Sequence, residues 1–180
     1  LITKILDPKD TESIYDPACG TGGMLLEAVN QIKGKKQDWR KTKLYGQESN
    51  LSTSSIARIN LFMHRLDDFK IKREDTLRNP QFLDGESLAK FDVVIANPPF
   101  SLKKWGYELW KNDPHGRAFA GLPPDSYGDY AFVQHMLSSM KEKTGRVGVV
   151  LSSGALFRGT EKTIRQNIIE KYDYLVAIIQ

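Results

Sequence analysis

Short apolar runs, several of them unbroken, alternate along this chain with stretches whose apolar residues recur at helical spacing. No other feature restricts the fold as much. The runs are SIYDPA (13–18), KLYGQES (43–49), FKIKRED (69–75), FDVVIAN (91–97), GRVGVVLSS (145–153) and YLVAIIQ (174–180). An unbroken apolar strand needs cover on both faces. Between the runs, Leu25, Ala28, Val29 and Ile32 share one helical face, as do Ile56, Ile59, Met63 and Leu66, then Phe132, Val133, Met136 and Met140, then Ile164, Ile168 and Tyr172. Gly145 is placed to close the third helix, and Thr160 to cap the fourth. The pattern predicts an α/β fold in three layers, a mainly parallel sheet wrapped by helices on both sides.

At 180 residues the chain is about one domain long. No apolar run approaches the ~20 residues needed to cross a bilayer, and the start, LITKILDPKD, has no signal-peptide pattern, so a water-soluble, cytoplasmic protein is expected. A lone cysteine, Cys19, excludes an internal disulfide and reads as a small packing residue. His64, His115 and His135 are too scattered for metal-ligand spacing, so no metal is expected. A net charge of +4 permits a polyanionic partner without requiring one. One segment breaks the alternation. Ser101 to Gly128 combines Trp105, Trp110, Phe119 and Tyr127 with Lys103, Lys104, Lys111 and Arg117, and predicts an ordered lid or binding loop in preference to a merely packed excursion.

Three stretches carry chemistry. In DPACGTGGMLLEA (16–28), Gly20, Gly22 and Gly23 follow the first strand and open the first helix, where they let the backbone approach a nucleoside-bearing ligand closely. A dinucleotide-binding turn or a plain tight turn would look alike, and the lack of a following lysine disfavours a P-loop. Glu48 ends the second strand, where it can accept two ribose hydroxyls or act as a helix N-terminal carboxylate. Asp75 ends the third, placed for an adenine amino group or simply for a turn.

The fourth run stops abruptly in NPPF (97–100). A residue before proline stays extended, so Asn97 points its amide forward, and Pro98, with φ fixed, presents its carbonyl rigidly. Two acceptors beside the flat face of Phe100 suit a planar exocyclic amine. Accepting both amine hydrogens in pyramidal geometry frees a lone pair otherwise delocalised into the ring, and stabilises the transition state more than the ground state. The electrophile is expected to be a sulfonium methyl held by the glycine turn. A Pro-Pro strand terminator would explain the stop but not the asparagine.

DPACGTGG, GQESN and NPPF in this order resemble an S-adenosylmethionine-dependent amino-methyltransferase, and more closely the modification subunit of type I restriction-modification systems, which methylates adenine N6 in DNA. GQESNLSTSSIARINLFMHR, GDYAFVQHML and GRVGVVLSSGALFRGTEKTIRQNIIE extend the likeness over nearly the whole chain. The resemblance implies a Rossmann-like methyltransferase fold and S-adenosylmethionine as cofactor. It implies cofactor contacts at Asp16, Gly20, Thr21, Gly22, Gly23, Glu48 and Asp75, and a target pocket at Asn97, Pro98 and Phe100. It further implies double-stranded DNA, a specificity subunit and a restriction subunit as partners. The family's upstream helical region and Thr-Pro segment are not found before Leu1, and its final antiparallel strand is not found before Gln180, so residues 1–180 are expected to be a catalytic-core fragment. A stacked adenine cannot reach such a pocket and would be flipped out. The 101–128 loop would touch DNA through its lysines and tryptophans, while Lys33 to Lys43 would be a solvated turn at the opposite edge. A nicotinamide dehydrogenase would not explain NPPF. Methylation of cytosine N4, an RNA base or a protein glutamine, or a non-catalytic DNA- or partner-binding role, remain as alternatives.

Overall fold

Five of the six apolar runs form one sheet. In the computed structural model, which describes residues 1–179, the strands are β1 (Ser13–Asp16), β2 (Lys43–Glu48), β3 (Phe69–Arg73), the two-residue pair β4 (Leu83–Asp84) and β5 (Ser87–Leu88), β6 (Val93–Ala96) and β7 (Arg146–Val149). The main sheet runs in the order β3-β2-β1-β6-β7, with every pairing parallel. β4 and β5 form a separate antiparallel pair. The helices are α1 (Ile2–Leu6), α2 (Gly23–Gly34), α3 (Leu51–Met63), α4 (Tyr107–Trp110), α5 (Asp129–Ser138), α6 (Gly154–Phe157) and α7 (Lys162–Gln166), the last continued by a π turn over Asn167–Lys171.

Alternation along the strands makes the three layers. Ile14, Val93 and Ile95 face α1, α2 and α3 through Leu6, Leu25, Ile32 and Leu61. Their neighbours Tyr15, Val94 and Ala96 face the other way, against Phe82, Phe91 and Met136 of α5. This is the predicted α/β sandwich, and among the described residues no helix is long and apolar enough to cross a membrane.

The α2 face is as predicted, with Leu25, Ala28, Val29 and Ile32 all buried. The α3 face is not. Ile56, Ile59 and Met63 are exposed, and Ser54, Ala57 and Leu61 are buried instead. The buried stripe packs on the glycine turn and the core: a side-chain carbon built on Gly22 would lie in van der Waals contact with Ala57, 3.7 Å away, and Ala57 and Leu61 join the cluster of Ile14 and Leu25. Leu66 is buried, beyond the helix end.

Three further expectations fail. Residues 174–179 form no strand. After Asp173, whose φ is 51°, Tyr174 N–H bonds back to the Ile168 carbonyl and its ring stacks on Tyr172, so the chain folds onto its own helix end rather than beside β7. Gln180, the last residue of that run, lies outside the described residues. α5 ends at Ser138, well before Gly145. Gly145 serves a tight turn instead, since a side-chain carbon there would meet the Lys141 backbone at 2.5 Å. Thr160 sits in a 3-10 turn, and α7 begins at Lys162, with Glu161 before it giving no side-chain cap.

The 101–128 segment is ordered, but its aromatic residues face inward. Trp105 and Trp110 are 1% and 2% exposed, and their indole N–H groups donate to the Pro124 and Leu77 carbonyls. Arg117 is buried too, stacked over Trp110 and bonded to Asp113 and to the carbonyls of Thr76 and Leu77. A tryptophan contact to DNA is therefore excluded for Trp105 and Trp110. Their hydrophobic area is spent on packing against Leu77, Ala131 and Phe132. Lys103, Lys104 and Lys111 remain at the surface. His135 is also core: its Nε2 lies 3.1 Å from the Tyr15 hydroxyl, and burial, helped by Arg117, pushes its pKa well down, so the ring is neutral.

Candidate active site

Strand order reverses between β1 and β6, which makes their carboxyl ends the expected ligand crevice of an open parallel sheet. Ile14 pairs with Val93 and Tyr15 with Val94. Continuing that register sets Asp16 and the turn after it beside Ile95 to Asn97, on strands about 4.8 Å apart. The DPACGTGG and NPPF corners thus lie at one edge of one pair of adjacent strands.

The first corner is held by backbone. Gly20 and Gly22 have φ of 54° and 83°, left-handed values that a larger residue adopts only with strain. Side-chain carbons built on Gly20 and Gly23 meet nothing within 4 Å, so the turn borders open space. Glu48, leaving β2, accepts from Gly20 N–H at 3.1 Å and from Asn50 N–H at 2.8 Å, which ties the second strand end to the glycine turn. Thr21 is exposed, and its carbonyl accepts from Asn60 of α3 at 2.9 Å. Asp75, after β3, accepts from the N–H groups of Leu77 and Arg78 and pairs with the Arg78 guanidinium. Asp75 therefore does form the turn that its residue type suggested, while half-buried at the same edge.

Asp16 is buried, with one bond from Ala18 N–H at 2.9 Å. Burial pushes its carboxyl up to about 7, and the Glu48 charge adds to the effect. Burial likewise drives the Cys19 thiol upward, so Cys19 is a packing residue, wedged against Gly46, and not a nucleophile.

At the second corner Asn97 is exposed, Pro98 is buried and Phe100 is 49% exposed. Beside them, Val150 N–H donates to the Ala96 carbonyl at 3.0 Å, and α6 follows with Phe157, 74% exposed. Lys33 to Lys43 leads into the amino end of β2, away from this edge. A cavity of about 650 Å³ also opens at the amino ends of the strands, among Ser13, Lys43, Phe91 and Lys141, and none of the sequence-predicted site residues lines it.

Several residues that support the site carried no local signal. Gln47 is fully buried, and its side chain bonds the carbonyls of Glu74 and Asn79 and the N–H of Gln81, which fixes the Asp75 turn against β2. The Thr76 hydroxyl donates to the Pro17 carbonyl at 2.6 Å, joining that turn to the first corner. Asp129, Arg158 and Glu161 form a buried ion cluster behind the second corner. A buried polar group must find partners, but nothing in the sequence around Gln47 or Asp129 says where those partners lie.

A sequence profile for the family described as N-6 DNA Methylase matches residues 1–180. The type I restriction enzyme MjaVII methylase subunit of Methanocaldococcus jannaschii is 39% identical over 188 residues, covering 99% of this chain and 31% of that protein. The HindI methylase subunit of Haemophilus influenzae is 32% identical over 172 residues, covering 94% and 37%. Among solved structures, the type I restriction-modification system methyltransferase subunit from Streptococcus thermophilus superposes with a TM-score of 0.80 at 30% identity, covering 94% of this chain and 36% of that one. The chain spans about a third of the length of the curated relatives it matches.

Proposed function

The chain belongs to the N-6 DNA methylase family, and we propose that residues 1–180 are the catalytic core of a type I modification subunit. It would work in the cytoplasm with a specificity subunit and a restriction subunit, and transfer a methyl group from S-adenosylmethionine to N6 of a flipped-out adenine in double-stranded DNA.

The residues of the first corner fit that cofactor. Open space beside Gly20 and Gly23 admits a nucleoside against the backbone, and the Glu48 and Asp75 carboxylates at the next two strand ends can accept from ribose hydroxyls and an adenine amine. Asp16 is a buried acid whose pKa is pushed up to about 7, so it gains most from a cationic neighbour, and the cofactor's ammonium and sulfonium groups are cationic. Thr21 and Gly22 complete the shelf. When bound, S-adenosylmethionine supplies an electrophilic methyl.

At the second corner Asn97 Oδ1 and the Pro98 carbonyl accept the two N6 hydrogens, and Phe100 stacks on the base, offsetting part of the unstacking cost of a few kcal/mol. As the amine nitrogen becomes tetrahedral its hydrogens grow more acidic, and both acceptors bind them more strongly. The N–methyl bond would form as the sulfur–methyl bond breaks and leaves a neutral thioether, and the cationic nitrogen then loses one hydrogen as a proton to water, so no separate strong base is needed. The observation that carries this reading is the exposed Asn97 at the end of β6, on the strand next to the one that ends in the glycine turn.

The test is labelled-methyl transfer by the full-length protein, assembled with its specificity subunit, onto DNA digested to nucleosides. Label in N6-methyladenine is the expected result. Label in N4-methylcytosine, in RNA or in protein, or no label in any of them, overturns the proposal.

A further inference from the structure

The NPPF corner is followed by a turn that its own sequence does not favour. Ser101 has φ of 52° and Lys104 has φ of 53°, left-handed values unusual for residues other than glycine. Such a turn persists only where surrounding groups hold it. One of those groups is Asp129, the first residue of α5, which is 1% exposed. Its Oδ1 accepts from Ser101 N–H at 3.3 Å, directly after Phe100. A second tie joins the segment ends, as Gly128 N–H donates to the Leu102 carbonyl at 3.0 Å.

Asp129 is itself locked from behind. Its Oδ2 accepts from Arg158 Nη2 at 2.7 Å, and Arg158 Nε donates to Glu161, which is fully buried, at 2.6 Å. The guanidinium lies 4.2 Å from the centre of the Tyr127 ring, and Arg165 donates to the Arg158 carbonyl. Two carboxylates share one arginine in a water-poor site, an arrangement whose geometry is more constrained than its net stabilisation is large.

We propose that Arg158 and Asp129 are positioning residues for methyl transfer: Arg158 fixes the Asp129 carboxylate, and Asp129 fixes the left-handed turn at Ser101 that presents Phe100 and Asn97 to the target base. This deepens the methyltransferase reading and rests on it. Both act through the turn, their side-chain hydrogen-bond partners being Ser101, Glu161 and each other. Their effect falls on the corner at β6 and leaves the glycine-turn corner unchanged.

The test uses the full-length protein with its specificity subunit and DNA carrying 2-aminopurine at the target position, whose fluorescence reports extrusion from the stack. Arg158→Gln is expected to lower kcat roughly 10- to 100-fold and to weaken the fluorescence signal, because small misplacements of reacting groups cost about that much. S-adenosylmethionine affinity measured by calorimetry stays within about twofold, since Arg158 and Asp129 make no bond to the glycine turn, and Arg78, which pairs with Asp75 and donates to the Lys104 carbonyl, keeps its own partners. Arg158→Lys, which keeps the charge, recovers part of the loss. Ser101→Gly, placed in the Arg158→Gln background, is expected to restore kcat several-fold, roughly 3- to 10-fold, because glycine adopts φ near 52° without needing the anchor. Equal kcat for Arg158→Gln and wild type overturns the proposal. So does parallel loss of cofactor binding and kcat with no rescue by Ser101→Gly, which would make the cluster a fold-wide brace. If the wild type itself places no methyl on adenine, the reading of the site has failed, and that result is distinguishable from either of these.

Discussion

The two corners of the site are held from different sides. At the ends of β1 to β3 the acidic side chains at the site are themselves tied to backbone: Asp16 to Ala18, Glu48 to Asn50 and to Gly20 of the glycine turn, Asp75 to Leu77 and Arg78. At the end of β6, Asn97 and Phe100 stand exposed, and the turn behind them is held by Asp129, 28 positions further along, which is held in turn by Arg158. A shelf for a small ligand can be preformed by the same groups that line it. A corner that meets a large substrate has to stay bare on its working side, so it is braced from behind.

That bracing passes through the packed 101–128 segment, and the largest expected effect comes from removing its core. Trp110→Ala deletes a buried ring, leaves the Leu77 carbonyl to Arg117 alone and removes the face on which Arg117 stacks, and should destabilise the protein by about 3–5 kcal/mol. Chemical denaturation of the full-length protein measures it. Near-normal stability combined with weakened DNA binding would show the opposite division, with Trp110 a contact residue and the segment only a surface.

Asn97→Ala separates the corners by kinetics. It removes one of two acceptors and should lower kcat by roughly 10²- to 10³-fold, by analogy with losing one preorganised hydrogen-bonding group at a transition state. Calorimetric affinity for S-adenosylmethionine should not change. A parallel fall in both would mean that the corners do not work independently.

The same contrast governs what could be read in the sequence. The glycine turn, the acidic strand ends and NPPF are local patterns whose conformational meaning travels with the residues, so the sheet, its order of use and the placement of Asp16 through Gly23, Glu48 and Asn97 were legible. The α3 face was not, because Ala57 and Leu61 are buried by residues of other elements, among them Gly22, Leu25 and Leu44. The inward turn of Trp105 and Trp110 was equally hidden. Aromatic residues among lysines suit both a nucleic-acid surface and a core edge, and only the packing partners brought from elsewhere, Leu77, Ala131 and Phe132, decide between them. Apolarity in 174–179 did not make a strand, since a strand is completed by its neighbour and not by its own composition.

A smaller effect sharpens the description of the first corner. The Asp16 carboxyl has a pKa of about 7 in the folded chain against an ordinary 3.8. Between those values the folded state carries a proton that the unfolded state lacks. The stabilising contribution of this group is therefore complete below pH 3.8 and is lost as pH rises through 7. Cofactor binding has the opposite sign, because a cationic ligand needs the ionised form. Affinity should fall about tenfold between pH 8 and pH 6. Asp16→Asn should flatten that dependence and raise stability above pH 7. An affinity that is flat across this range in the wild type would remove Asp16 from contact with the cofactor's charge.

The smallest effect concerns the half-exposed ring. If Phe100 acts by stacking on an extruded base, what matters is a flat π face, and an aromatic pairing contributes about 0.5–1.5 kcal/mol beyond area burial. Phe100→Tyr keeps the face and should transfer methyl at close to the wild-type rate, whereas Phe100→Leu, similar in hydrophobicity but without a ring, should lose roughly 2- to 10-fold in kcat/KM for DNA, the fold-change equivalent of that energy. Because the ring is 49% exposed, neither change should disturb unfolding. Equal losses in the two variants would point to tight steric fit rather than stacking. A loss of stability in Phe100→Leu would mean that this corner, like the 101–128 segment behind it, is held by packing, and the contrast between the bare corner and its buried brace would then no longer hold.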